Sequence, residues 1–389
     1  MNKLVKYVER KNTDCCKWDN LTPNFGEEDL QAMWVADMDF EVAPCIKESL
    51  QDYLSTGVFG YYNVPDTYDQ SFINWENTFH HYPVEKDWIR FSPGVVPAIN
   101  WLLQICTQPG DAVITQTPVY YPFLNAVQNN NRTLITCDLI NTNGYYTIDF
   151  DAFEQKIITH QVKLFILCSP HNPVGRVWTK EELTKLLTIC KKHHVFVIAD
   201  EIHQDIILCN RPQYTAATLG DYDDMLVTLT AATKTFNLAA CQNSFVIIPC
   251  RELREKFDAF VLSLRISGGN AFGYIATQAA YTAGRPWFEE VLTLLKENEQ
   301  FVRSTLLKQL PLIEISPLEG TYLLWINFSH YLRGEQLKTF MQKQCGLAFD
   351  YGDWFGDAHF DGFIRMNLAT SHDMVAKAVT TIIEELHTR

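Results

Sequence analysis

KLFILCSPHNPVGRVWTKEELTKLLTICKKHHVFVIADEIH, residues 163–203, holds one complete strand–helix–strand unit. Lys163–Cys168 is a short, continuous apolar run, the pattern of a strand buried on both faces. It stops at Ser169-Pro170-His171-Asn172-Pro173-Val174-Gly175, where two prolines, an asparagine and a glycine make a rigid turn. Thr179–His193 reads as a helix. Thr179 with Glu182 three residues on is a capping-box signature, and Leu183, Leu186 and Leu187 share one face. Val195–Ala199 is the next buried strand and ends on Asp200-Glu201-Ile202-His203. Two strands joined through a helix run parallel.

The same alternation extends outward. Ala112–Thr115, Thr133–Cys137, Met225–Thr230 and Ser244–Ile248 are further candidate strands. The expected fold is therefore α/β, with a large domain whose mainly parallel sheet is flanked by helices on both faces. After Gly268-Gly269 the scale shrinks: a long helix near 286–309, strands at Ile313–Ile315 and Tyr322–Ile326, a helix near 334–345, a strand near 362–368 and a C-terminal helix from about 371. This predicts a smaller α/β domain. The division is a large domain over 41–285 and a small domain from 1–40 and 286–389. Residues 1–40 read as irregular.

Composition narrows the function classes. The chain has 389 residues, 47% of them hydrophobic, enough for two cores rather than one. The formal charge of −14 disfavours nucleic acid and anionic membranes as partners. Eleven cysteines without a Cys-x-x-Cys pair form neither a disulfide framework nor a zinc site, and no metal is expected. Met1–Arg10 lacks the apolar stretch of a signal peptide, and no apolar run is long enough to span a bilayer. A cytoplasmic location is expected.

Several residues at strand ends could carry chemistry. Asp200 closes a buried strand, where a carboxylate needs a partner: a helix N-terminus, an arginine, or a cationic ligand atom such as a protonated pyridine nitrogen. Lys234 follows a strand within Thr230-Ala231-Ala232-Thr233-Lys234-Thr235-Phe236-Asn237. A partly desolvated lysine loses its proton readily and condenses with aldehydes. Ser92-Pro93-Gly94-Val95-Val96-Pro97-Ala98 opens a helix whose free N–H groups suit an anion. Thr117-Pro118-Val119-Tyr120-Tyr121-Pro122-Phe123 offers aromatic rings, either core or a stacking surface. Arg365, inside the apolar Phe363–Ala369, needs an anion, either a structural Asp/Glu or a substrate carboxylate. An imine lysine, a carboxylate for a pyridinium nitrogen and a phosphate cradle are the groups that pyridoxal 5′-phosphate (PLP) requires.

In the order of HNPVG, DE-x-H, TKTFN and R-x-N the sequence resembles the fold-type-I PLP enzymes of the aspartate aminotransferase superfamily (aminotransferase class I/II). It is more closely similar to the C–S β-lyases of the cystathionine β-lyase, MalY/PatB type. Met33–Phe40, Gly57–Tyr61, Ser92–Ile99, Thr117–Phe123, Leu167–Val177, Asp200–Ile206, Lys234–Ser244 and Glu319–Trp325 carry that likeness over nearly the whole chain. The resemblance implies that Lys234 holds PLP and shuttles the Cα proton. It implies that Asp200 meets the pyridinium nitrogen, that Asn172 and His203 face the ring oxygen, and that Tyr120 stacks on the ring. Val95, Val96 and Thr233 would hold the phosphate, and Tyr61 would reach the phosphate of a neighbouring subunit in a homodimer. Arg365 would clamp the substrate carboxylate, with Ala36 beside the substrate and Tyr121 a hydrogen-bond donor near the reacting centre.

Three places depart from the aminotransferase pattern, one of them Thr370-Ser371-His372, where a Cys/Pro/Arg-rich continuation usually follows the Arg365–Ala369 stretch. Thr233 stands where serine is usual and keeps the hydroxyl, while Gln242 replaces a phosphate-binding arginine, as in the lyase group. The implied reaction is β-elimination from cystathionine or an S-substituted cysteine, giving thiol, pyruvate and ammonia. The rivals are an aminotransferase on the same scaffold and, from another class, a regulatory binding protein built on it. The bland alternative is an α/β protein with no cofactor.

Overall fold

The computed structural model of the chain describes residues 4–389; Met1–Lys3, the start of the charged N-terminal segment, lie outside the described residues. Every strand expected between 112 and 248 forms, within two residues at each end. The strands are β1 (Ile89–Ser92), β2 (Ala112–Thr117), β3 (Thr133–Asp138), β4 (Leu164–Cys168), β5 (Phe196–Asp200), β6 (Leu226–Thr230) and β7 (Ser244–Ile247). They build one sheet in the order β1-β7-β6-β5-β4-β2-β3. From β3 to β6 all pairings are parallel; β7 runs antiparallel to both β6 and β1. β1 escaped the reading of strand patterns because Arg90, paired with Asp258 at 2.6 Å, interrupts its four residues.

The opening strand–helix–strand unit explains the layering. All five residues of β4 are buried. Leu164 and Ile166 pack with Ile99 and Leu102 of helix α1 (Val95–Cys106). Phe165 and Leu167 point the other way, onto Leu183, Leu186 and Leu187 of helix α2 (Lys180–Lys192). Truncating one of these fully buried leucines to alanine costs about 2–5 kcal/mol. The capping box is complete: Glu182 N donates to Thr179 Oγ1 at 3.1 Å, and Thr179 N donates to Glu182 Oε2 at 2.8 Å.

The C-terminal strands differ from the mixed α/β pattern in one respect, for they are wholly antiparallel. β8 (Glu314–Ile315), β9 (Leu323–Asn327), β10 (Asp350–Tyr351) and β11 (Phe363–Asn367) lie in the order β8-β9-β11-β10. The long helices α4 (Arg285–Gln309) and α5 (His372–His387) pack together beside them, after the one-turn helix α3 (Ala232–Thr235) of the larger sheet. Residues 1–40 are less irregular than their sequence suggests. Cys16–Asp19 and Thr22–Phe25 are single helical turns, too short to leave a periodic signal. Gln31–Ala32 pairs in parallel with Leu347–Ala348, and Met33 O accepts from Asn367 N at 3.0 Å. These bonds fasten the segment that follows, Trp34–Phe40, across the mouth of the larger sheet.

Candidate active site

The end of a buried strand exposes its last carbonyls and lets the next side chains turn inward together, so ligands collect at the carboxyl edge of parallel sheets. At that edge Asn172 follows β4, Asp200 ends β5 and Lys234 follows β6, on three adjacent strands. Tyr120 follows β2, and Gly94 with Val95 follows β1 at the same edge. They line one open cavity of about 820 Å³, counting the space that joins solvent at its mouth. Ala36, Val96, His203 and Thr233 also line it. Of the residues expected at the site, this cavity collects nine and leaves out Tyr61, Tyr121 and Arg365.

Lys234 Nζ donates to Ala36 O at 2.6 Å. Burial pushes its ammonium down from 10.5 to about 8; Asp37 and Asp200 oppose the shift, and Arg365 adds to it. The ammonium therefore gives up its proton far more readily than a surface lysine, as a latent nucleophile must. Ala36 O also accepts from Tyr322 Oη at 2.9 Å, which places a buried tyrosine beside the lysine. Asp200 is buried, and its carboxylate accepts one protein hydrogen bond, from Ile202 N at 3.1 Å. Burial raises its carboxyl to about 7, against the pull of that N–H and of Lys234. His203 is buried edge-on to Tyr322, with ring centroids 5.9 Å apart, and its Nδ1 has no partner. Burial, then Lys234 and Arg365, hold it well below its ordinary pKa, so the ring is neutral.

Asn172 is fixed through the turn. Its carbonyl accepts from Tyr120 N at 3.1 Å, and its Oδ1 accepts from Arg365 Nη1 at 3.0 Å. Gly175 at φ +74 closes that turn against Leu318, where a Cβ would come within 3.0 Å of a methyl group. Arg365 has a structural anion: Nη2 donates to Asp350 Oδ2 and to Trp34 O, the latter at 3.1 Å. The guanidinium lies over Phe355 at 4.9 Å and stands behind Asn172 rather than among the residues that line the cavity. Its Nε and Asp350 Oδ1 have no partners. Burial raises Asp350 to about 6, which Arg365 counteracts. Tyr121 sits edge-on to Phe355 and Trp354 at 5.7 and 6.1 Å, on the Arg365 side rather than in the cavity. Tyr61 is fully exposed on a loop.

These groups fit PLP without adjustment. Asp200 needs a cationic partner and a pyridinium nitrogen is one; Lys234 is an amine ready for an aldehyde. At the start of α1 the first N–H groups, Val95 and Val96, have no intrahelical acceptor and suit a phosphate. Thr233 and the buried, unpartnered hydroxyl of Ser244 face the same space. Tyr322, Ser244 and Asp350 are the site residues that sequence reading missed. Asp350 was within reach, because an aspartate in an apolar segment raises the same question as Arg365 does.

A mainly parallel sheet with asparagine, aspartate and lysine on three adjacent strand ends defines the fold-type-I PLP enzymes. Within that class the chain belongs to the aminotransferase class I and II family, which it matches over residues 34–382. Cystathionine β-lyase PatB of Bacillus subtilis (strain 168) is 39% identical to it over 368 residues, 94% of this chain and 95% of the relative. Among solved structures, a PLP-bound protein of Clostridium difficile 630, provisionally named an aminotransferase, superposes with a TM-score of 0.95 at 40% identity, covering 98% of each chain. The PLP-bound C–S lyase of Staphylococcus hominis superposes with a TM-score of 0.92 at 30% identity, over 98% of this chain and 97% of its own.

Proposed function

We propose that the protein is a PLP-dependent carbon–sulfur β-lyase that cleaves cystathionine or S-substituted cysteines to thiol, pyruvate and ammonia. The observation that carries this reading is a buried Lys234, its ammonium pushed down to about 8, sharing one cavity with the buried, cation-seeking carboxylate of Asp200. The choice of lyase over aminotransferase rests on the 39% identity to a cystathionine β-lyase along nearly the full length of both chains.

Lys234 holds the cofactor, and Asp200 keeps the ring nitrogen protonated. Asn172 and His203 face the ring oxygen, and Tyr120 covers the ring. Val95, Val96 and Thr233 take the phosphate. When bound, PLP supplies a ring that accepts the electron pair left on the substrate Cα. Once the substrate amine has released it, Lys234 takes the Cα proton as a neutral base. The C–S bond then breaks at Cβ, and the sulfur departs with the bonding pair. The aminoacrylate that leaves the site reacts with water to give pyruvate and ammonia. Arg365 orients the substrate carboxylate, reached from Asn172's side, with Ala36 against the substrate and Tyr121 donating nearby.

The same reading makes the enzyme a homodimer. Gly57–Tyr61 carries Val58, Phe59 and Tyr61, exposed by 72%, 57% and 112%, and a patch of this kind calls for a cover. Tyr61 would serve the partner's phosphate. The reading also keeps a large domain over 41–285 and a small one from 1–40 and 286–389; the bridge from Gln31–Ala32 to Leu347–Ala348 supports joining the two ends. A cytoplasmic location accords with eleven unpaired cysteines. Among the described residues no helix is long and apolar enough to cross a membrane.

The test is product stoichiometry from the holoenzyme with cystathionine and no added keto acid. Equal amounts of thiol, pyruvate and ammonia are expected. Amino transfer to an added keto acid, with no pyruvate from cystathionine alone, would assign the chain to the aminotransferases.

A further inference from the structure

Lys234 stands in a helix of only four residues, α3, which has no side-chain cap at its N-terminus. One turn fixes too few hydrogen bonds to hold its own direction, so the aim of Lys234 must be set from outside. The next residue supplies a tie. Thr235 Oγ1 donates to Asp205 Oδ2 at 2.6 Å. The other oxygen, Asp205 Oδ1, accepts from Trp75 Nε1 at 2.9 Å and meets His80 Nε2 at 2.7 Å. The side chains of Asp205 and His80 are 3% and 5% exposed, so this ion pair is sealed from solvent.

A buried carboxylate stays only where its oxygens are filled, and here three donors from three elements fill them. Burial pushes Asp205 up, but His80, Thr235 and Trp75 outweigh it and leave the group ionised. Burial lowers His80, while Glu76 and Asp205 raise it to about 9, so it is the cation of the pair. Glu201, Tyr82 and Gln204 close the cluster, with Gln204 Nε2 on Glu76 Oε1 at 2.7 Å. Asp205 lies on the turn that follows Asp200 and carries His203, so one short turn joins it to two residues that line the cavity.

We propose that Asp205 is a positioning residue: through the Thr235 hydroxyl it holds α3 so that Lys234 points at the space above Asp200. The proposal rests on Lys234 being the cofactor lysine and adds the device that aims it. None of the cluster touches the reacting atoms, and the mechanism above uses none of it.

Thr235→Val removes the hydroxyl at nearly constant volume, Thr235→Ser keeps it, and Asp205→Asn removes the charge. Two readouts are taken: capture of PLP by the cofactor-free protein, followed by absorbance across pH, and steady-state kinetics of the holoenzyme. Thr235→Val and Asp205→Asn should slow capture and move its pH midpoint. Both should lower kcat about 10- to 100-fold with KM nearly unchanged, as a misaimed group does. Thr235→Ser should restore both readouts. A Thr235→Val protein with wild-type capture, pH midpoint and kcat, and only a lower melting temperature, would reduce Asp205 to a structural anchor. A wild-type protein that captures no PLP would instead overturn the assignment of Lys234 itself.

Discussion

Lys234→Met is expected to stabilise the cofactor-free protein at neutral pH. Burial, opposed by Asp37 and Asp200, brings the Lys234 ammonium down to about 8 from 10.5 in the unfolded chain. Below the lower value both states carry the proton, and the folded chain bears the full cost of a charge in the pocket. Between the two values the unfolded chain binds more protons, so stability rises with pH; above about 10.5 the cost is gone. The gap corresponds to roughly 3 kcal/mol. The lost hydrogen bond to Ala36 O takes back about 1 kcal/mol, and methionine fills the same space with little strain. A net gain of about 2 kcal/mol is left at pH 7. Urea midpoints of the two cofactor-free proteins, compared from about pH 6.5 to about pH 10.5, give the answer. The variant's advantage should be full below pH 8 and fade toward pH 10.5. A variant less stable at pH 7, or an advantage equal at every pH, would refute the reasoning.

Asp350→Asn strands the guanidinium of Arg365, both side chains being at most 2% exposed, and should cost about 3–5 kcal/mol in chemical denaturation. If Arg365 takes the substrate carboxylate, a saturating carboxylate inhibitor should restore much of that loss. Glu319→Ala leaves Arg176 with Glu182 as its one carboxylate partner and frees Val177 N, for a loss of about 3 kcal/mol, whereas Arg211→Ala on the exposed side of the same glutamate should cost under about 1 kcal/mol. Tyr61→Ala should leave the melting temperature of the cofactor-free protein unchanged, because the ring is exposed, yet weaken PLP binding about tenfold in a spectroscopic titration.

Much of the fold was legible because its signals are local. Thr179 and Glu182 announce α2, and the uninterrupted apolar runs of β4 and β5 mark strands covered on both faces, as those of a parallel sheet are. The wholly antiparallel C-terminal sheet was not legible, since strands of two residues such as Glu314–Ile315 carry no period. Lys234, Asp200 and Asn172 were found because each breaks its surroundings: a charge or an amide directly after an apolar strand. Tyr322 and Ser244 were missed because a tyrosine or serine at a strand edge is unremarkable until its hydroxyl is seen beside Ala36 O or left unpartnered at the cavity. Arg365 posed a question that its own strand could not answer. Its partner, Asp350, is its register neighbour on β10, 15 residues away in sequence.

The most direct measurement is borohydride reduction of the PLP-loaded protein followed by peptide mass mapping, which fixes the cofactor to the residue that carries it. The account predicts a single pyridoxyl-modified peptide, containing Lys234, and its disappearance in Lys234→Met. A modification on another lysine, or none after loading with PLP, would contradict it.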